Sequence, residues 1–175
     1  MAEKPEQRIE WEEVFMGIAL VASQRSPDTE MKVGACVLDV DNKVIGIGYN
    51  GSPIGGNFDA VEDKHEIIVH AELNAILHSS GNLKGGTIYT TLHPCFQCAK
   101  AIVQSGIKKV VYLEIKDGEK FKIPVAKKIF KDGKIDDIEP YHRIMKDILG
   151  ESYKEECEYS EKVKLTFTPW EHKKD

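Results

Sequence analysis

The sequence predicts a single α/β domain, with helices on both faces of a mixed sheet. Three observations predict it. Segments with apolar residues at helical spacing alternate with short, β-branched apolar runs, the order expected of a layered α/β protein. The first two strand-like runs are joined by a tight-turn signal, whereas later ones are separated by helical segments; the first pattern gives a hairpin and the second gives parallel crossovers. The chain of 175 residues has room for one good core, and no Pro/Ser-rich linker or internal repeat divides it. One domain is therefore expected over residues 1–170, with a frayed tail at 171–175.

Residues 9–24, IEWEEVFMGIALVASQ, place Trp11, Val14, Phe15, Ile18, Val21 and Ala22 on one helical face. Ser26-Pro27 ends that helix, because the residue before a proline is driven out of the helical region. KVGACVLDV and KVIGIGYNG read as two strands joined at Asp41-Asn42, followed by a Gly-rich loop over 51–66. AELNAILHSS reads as a helix stopping at Gly81, and GTIYTTL as a β-branched strand. CFQCAKAIVQS reads as a helix with Pro94 at its first turn and Gly106 just past its end. KKVVYLEI is the next strand. The lysine-rich stretch 116–137 has no clear period. A helix is expected over 139–149 and a last strand over 161–168, joined to its predecessor by a parallel crossover.

Composition excludes several function classes. Apolar residues make up 41% and charged residues 30%, the balance of a globular domain, and no run approaches the ~20 apolar residues of a membrane span. The net charge of −5 lacks the basic field of a general nucleic-acid binder, so neither nucleic acid nor membrane is an expected partner. The charged N-terminus carries no signal-peptide core, so a cytoplasmic location is expected. Four cysteines, Cys36, Cys95, Cys98 and Cys157, are too few and too scattered for a disulfide framework. Cys36 reads as a packed core thiol and Cys157 as exposed; His78, His142 and the lysines of 116–134 read as solvated surface.

The chemistry concentrates between His70 and Cys98. Cys95 and Cys98 stand three apart at a helix start, so one turn aims both sulfurs at one point, and the positive helix end favours thiolates. With His70 they make a Cys2His set, the ligand set of a catalytic zinc with its fourth position open. Glu72 lies two residues after His70, and residues two apart on a regular helix face nearly opposite sides. The two share a site only if His70 stands at the very start of the helix, and the extended-looking EIIV before it fits that geometry. Zn2+ with two thiolates and a neutral imidazole carries no net charge. Such a centre acidifies its water less than a three-histidine centre, so a carboxylate that takes the proton gains importance. His-x-Glu followed by Pro-Cys-x-x-Cys is the signature of the zinc deaminases. A closed structural zinc staple would want a fourth protein ligand; His93 is adjacent but precedes the Pro turn, and a redox CxxC pair would leave the HAE unexplained.

SQRSPDTEMKVGACVL, GIGYNGSPIGG, HAELNAIL and TLHPCFQCAKAIVQSGIKKVVY make residues 11–53 and 70–112 resemble the deoxycytidylate (dCMP) deaminases of the cytidine/deoxycytidylate zinc deaminase family. The resemblance implies a three-layer α/β/α cytidine-deaminase-like fold with a central mixed five-stranded sheet. It implies zinc-dependent hydrolysis of dCMP to dUMP and ammonia, supplying dUMP for thymidylate synthesis. His70, Cys95 and Cys98 match the family's ligands to one Zn2+ per chain, and Glu72 its proton shuttle, giving a proton first to N3 of the pyrimidine and then to the leaving amine. Asn50 matches a residue that bonds the sugar or base, and the Ala71 backbone would contact the base carbonyl. Arg25, Ser26 and Lys32 are the nearest phosphate candidates, and Tyr112 a candidate wall of the nucleotide site. The family further implies a homo-oligomer, a hexamer, with dCTP as activator, accompanied by Mg2+, and dTTP as inhibitor. Some members hold a second zinc through cysteines in the loop after GYNG and in the segment before KVGA. This chain has Gly56 and SPDTEM there, and His65 without partners, so no second zinc is expected. Two alternatives stand beside this reading: a deaminase of another cytosine nucleotide or nucleoside, such as modified dCMP or cytidine, and a non-catalytic zinc-stabilised scaffold. The intact Glu72 speaks against the scaffold.

Overall fold

The structure is a computed structural model and describes residues 9–56, 67–116, 119, 121–135 and 137–140. Its sheet runs in the order β2-β1-β3-β4-β5, with β1 Gly34–Leu38, β2 Val44–Tyr49, β3 Thr87–Leu92, β4 Lys109–Glu114 and β5 Asp137–Pro140. The β1 strand pairs antiparallel with both β2 and β3, whereas β3, β4 and β5 run parallel. The sheet is thus mixed, as the sequence predicts.

The β1–β2 turn falls at the expected Asp41-Asn42. Asn42 takes a left-handed conformation, and the Asp39 carboxylate accepts from the amides of Asp41 and Lys43 at 2.9 Å each. Short polar side chains suit this role because they bond to the nearby backbone. The parallel pairs are made by crossovers through helices. Helix α3, Phe96–Ser105, joins β3 to β4, and α4, Ile123–Asp132, joins β4 to β5. Lysine-rich 116–137 therefore resolves into a helix and the start of a strand. Strand β5 also occupies positions 139–140, where the sequence suggested a helix. The expected strand at 161–168, His65, His142, Cys157 and the tail lie outside the described residues.

Strand alternation sorts the core into two layers. On one face Cys36, Leu38, Tyr89 and Val111 pack against Phe15, Met16 and Ala19 of α1, Trp11–Ser23. On the other, Ala35, Val37, Ile88 and Val110 pack against Ala71 and Ala75 of α2, Ala71–Leu77, and against residues of α3 and α4. The architecture is three-layer α/β/α. Cys36 is fully buried, as expected of a core thiol, and burial pushes its thiol up to about 12.

The α1 face differs from expectation. Trp11 is 70% and Val21 47% exposed, and the buried stripe is Phe15, Met16, Ala19, Ala22 and Ser23. The cause is a close approach: a Cβ on Gly34 would strike the Ala19 carbonyl and would lie 2.6 Å from the Ser23 amide. Backbones this near require small residues between them, so the helix turns its alanine stripe inward. Trp11 instead stacks on Phe15 with ring centroids 5.7 Å apart.

Candidate active site

The site forms at the C-terminal edge of the parallel strands, where open α/β sheets place their ligands. Two helix N-termini meet there. His70 is the N-cap of α2 with extended backbone, φ −67° and ψ 153°. The segment before it is held extended by a bridge between Val69 and Gly51, with amide–carbonyl distances of 2.9 and 3.1 Å in the two directions. His70 therefore stands outside the helical repeat, and Glu72, two residues on, reaches the same cavity. Cys95 is the N-cap of α3, also extended, and Cys98 lies one turn in. Pro94 links the end of β3 to that cap.

His70 Nδ1 lies 3.4 Å from Cys95 Sγ and 3.3 Å from Cys98 Sγ, and the three donor atoms fall within 4.8 Å of one another. A tetrahedral zinc with bonds of about 2.3 Å to sulfur and 2.0 Å to nitrogen sets nitrogen–sulfur separations of about 3.5 Å. Both nitrogen–sulfur separations fit a tetrahedral zinc ion. Among the described residues they are the only group of three or more such side chains gathered closely enough to hold a metal. His93 stays apart from it: its ring nitrogen Nδ1 is 2.9 Å from the Pro94 carbonyl, and it supplies no fourth ligand.

The electrostatics agree with a buried ligand set. A hydrogen bond from Cys98 holds the Cys95 thiol down at about 4, and the same pairing holds Cys98 well above the usual thiol range. The Cys95 sulfur beside His70 raises that imidazole. Glu72 is 4% exposed, and burial pushes its carboxyl up to about 7. A carboxyl poised there can both take and release a proton near neutrality.

These groups open on a cavity of about 210 Å³. Asn50, Ala71 and Glu72 all line it. The Asn50 side chain ties down the opposite wall, accepting from the Val33 amide at 2.7 Å and donating to the Met31 carbonyl at 2.8 Å. Ala71 is the first helical residue of α2, whose amide has no acceptor within the helix.

The other predicted contacts are placed elsewhere. Arg25 is exposed and sits over the Tyr49 ring at 5.6 Å, in a separate depression. Ser26 is buried, and its hydroxyl is used internally, donating to the Asn50 carbonyl at 2.8 Å and accepting from the Asp28 amide at 3.2 Å. Lys32 is exposed in a third depression that Glu30, Glu114 and Lys116 also line. Tyr112 packs edge-on against His93, centroids 4.7 Å apart, one layer behind the cavity wall. The structure adds wall residues that sequence reasoning missed: Asp28, Phe96 and Phe121. Phe96 had a signal, since it lies inside the CFQC motif; Asp28 and Phe121 come from distant segments without a motif of their own.

Comparison with known proteins agrees with this geometry. The family model described as the cytidine and deoxycytidylate deaminase zinc-binding region matches residues 9–114. The chain is 39% identical over 139 residues to the deoxycytidylate deaminase of Mus musculus, covering 73% of this chain and 78% of the relative. It is 41% identical over 123 residues to that of Mycobacterium phage D29, covering 60% and 95% respectively. The crystal structure of dCMP deaminase from the cyanophage S-TIM5, in complex with dCMP and dUMP, superposes with a TM-score of 0.64 at 29% identity, covering 77% of this chain and 99% of that one.

Proposed function

Because the chain belongs to the cytidine and deoxycytidylate deaminase zinc-binding family, we propose that it hydrolyses dCMP to dUMP and ammonia. The observation that carries the reading is the convergence of His70, Cys95 and Cys98 beside a buried carboxyl, Glu72, that is not one of the three gathered donors. A purely structural zinc has no use for that carboxyl.

The three ligands would hold one Zn2+, whose Lewis acidity makes water nucleophilic near neutral pH. The remaining work falls to the chain. The Ala71 amide donates to the pyrimidine carbonyl and sets the ring so that C4 faces the metal position. Glu72 takes a proton from the attacking water as the C4–O bond forms and passes it to N3; it then moves the proton of the new C4 hydroxyl to the amine, so that the C4 carbonyl forms as the C4–N bond breaks and ammonia leaves. Its carboxyl near 7 suits both directions of transfer. Asn50 holds the Met31–Val33 wall and presents its amide to the sugar or base. The cavity walls, with the phenyl rings of Phe96 and Phe121 among them, limit the access of bulk water, which strengthens each of these contacts.

Family membership alone supports the wider proposals: supply of dUMP for thymidylate synthesis, activation by dCTP with Mg2+, inhibition by dTTP, assembly as a homo-oligomer (a hexamer), and a cytosolic location. No helix among the described residues is long and apolar enough to cross a membrane. The test is ammonia release by zinc-loaded protein from dCMP, CMP, deoxycytidine and 5-substituted dCMP, each with and without dCTP or dTTP. Turnover of dCMP, raised by dCTP and lowered by dTTP, is the expected result. Turnover of another member of the panel instead would move the substrate within the family, and turnover of none would refute the reading.

A further inference from the structure

Pro94 lies two residues beyond β3 and one before Cys95, the cap of α3. Its ring fixes φ, so the only soft torsion left to it is the one that aims its carbonyl. That torsion sets how Cys95 leaves the strand, and whatever holds the carbonyl helps to place the Cys95 sulfur. In this chain the holder is His93. Its Nδ1 lies 2.9 Å from the Pro94 carbonyl. A carbonyl only accepts, so Nδ1 carries the proton and donates.

His93 is itself anchored from outside the ligand set. Its amide donates to the Glu114 carbonyl, at the end of β4, at 2.7 Å. Its ring stands edge-on to Tyr112 of β4, centroids 4.7 Å apart, and to Phe130 of α4 at 6.2 Å. The Pro94 peptide is thus tied to β4 and α4, elements that carry none of the three gathered donors. The other ring nitrogen makes a second, independent point. Nε2 is buried without a hydrogen-bond partner among the described residues, in a side chain that is 2% exposed. Bare or protonated, an unpaired buried nitrogen is unfavourable. A phenylalanine would fill the space between Tyr112 and Phe130 without that cost. Packing alone therefore does not call for histidine here, whereas the bond to Pro94 does.

This inference rests on the zinc reading above: we propose that His93 is a positioning residue of the metal centre, whose imidazole fixes the Pro94 carbonyl and so holds the Cys95 sulfur opposite His70 before a metal binds. His93 acts through Pro94 and Cys95 and not as a ligand. Without its bond the Pro94 peptide is free to turn, and metal binding must then order the cap of α3 as well as join the three donors.

The experiment compares the wild type, His93→Phe and His93→Asn. Phenylalanine keeps the ring contacts with Tyr112 and Phe130 and removes the donor. Asparagine gives up those contacts and presents its side-chain N–H near the Nδ1 position. Zinc affinity is measured by competition with a chromogenic chelator, coordination by the absorption of the Co2+-substituted protein, and stability by melting of the metal-free protein. The expected result is a zinc affinity about tenfold to a hundredfold weaker in His93→Phe and largely restored in His93→Asn, as for the loss of a group that orients a ligand. The Co2+ spectrum should shift in His93→Phe alone. The metal-free melting temperature of His93→Phe should stay close to that of the wild type, because the unpaired Nε2 leaves together with the donor. At saturating zinc its kcat for dCMP should fall by a larger factor than its KM rises. A histidine that only packs predicts the reverse order, with His93→Phe equal to the wild type and His93→Asn the weaker. That order, or equal zinc affinities in all three proteins, would overturn the proposal. A wild type that binds no zinc would refute the ligand set itself, and this inference with it.

Discussion

Glu72 is two residues from a metal ligand yet shares its cavity, and this depends on one backbone torsion pair. His70 has extended backbone, so the next residues begin a helix that returns Glu72 to the same side. Replacing Glu72 with Gln keeps shape and burial and removes only the ionisable carboxyl that the proposed proton relay uses. The expected outcome is a loss of at least about a hundredfold in kcat, with zinc content and fold unchanged, checked by steady-state kinetics beside metal analysis. Asn50→Ala should behave differently. It removes the tie to both Met31 and Val33 and leaves their buried backbone groups unpaired, which costs about 1–3 kcal/mol in denaturant unfolding as well as activity. Cys36 supplies a pH-dependent check. Its thiol titrates near 12 rather than 9, so it stays protonated and unreactive through pH 8. Alkylation followed by peptide mapping should leave it unmodified in the folded protein and modify it on unfolding. At this scale the gathering of His70, Cys95 and Cys98 beside Glu72 was legible because residue type and spacing together encode it. Asp28 and Phe121 were not, because a cavity wall assembled from distant segments leaves no local pattern.

Helices α1 and α2 show how elements position the site. A Cβ on Gly48 of β2 would strike the Ala71 carbonyl and the Ala75 amide, so the strand and the site helix are in backbone contact. Gly48→Ala must push α2 away and carry His70 and Glu72 with it. The expected cost is about 1–3 kcal/mol or more of stability together with weakened zinc retention, read by thermal melting and metal analysis of the purified variant. The helices and strands from residue 9 to 114 were legible because their apolar periods are strong and their ends carry Pro94, Gly106 and the Asp41-Asn42 turn. The inward face of α1 was misjudged because size at a close backbone approach outweighs hydrophobicity: alanines face the sheet while Trp11 stays exposed. Helix α4 was hidden because Lys127, Lys128 and Lys131 make up half of its exposed positions and its buried face, Ile123, Ala126 and Phe130, contributes only three residues. The left-handed Lys122 before it also lacks a conventional N-cap signal.

Across the whole molecule, the mixed sheet separates two jobs. The antiparallel side, through β2 and Asn50, places one wall and the N-terminus of α2, and the end of β3 delivers the N-terminus of α3 to the same point. Zinc joins segments 25 and 28 residues apart in the chain, so its binding contributes to folding as well as to chemistry. Chelation should lower the melting temperature by several degrees or more and abolish turnover, and readdition of Zn2+ should restore both; an unshifted melt would contradict the coupling. The mixed sheet was legible from the hairpin and the alternation of elements, whereas β5 was not, since four residues without a strong apolar period give no strand signal. The most direct test of the central claim is ammonia release from dCMP by the wild type and Glu72→Gln at equal zinc occupancy. The account predicts turnover by the wild type and near-complete loss in the variant, with one zinc per chain in both. Equal rates in the two, or no turnover by a fully zinc-loaded wild type, would contradict it.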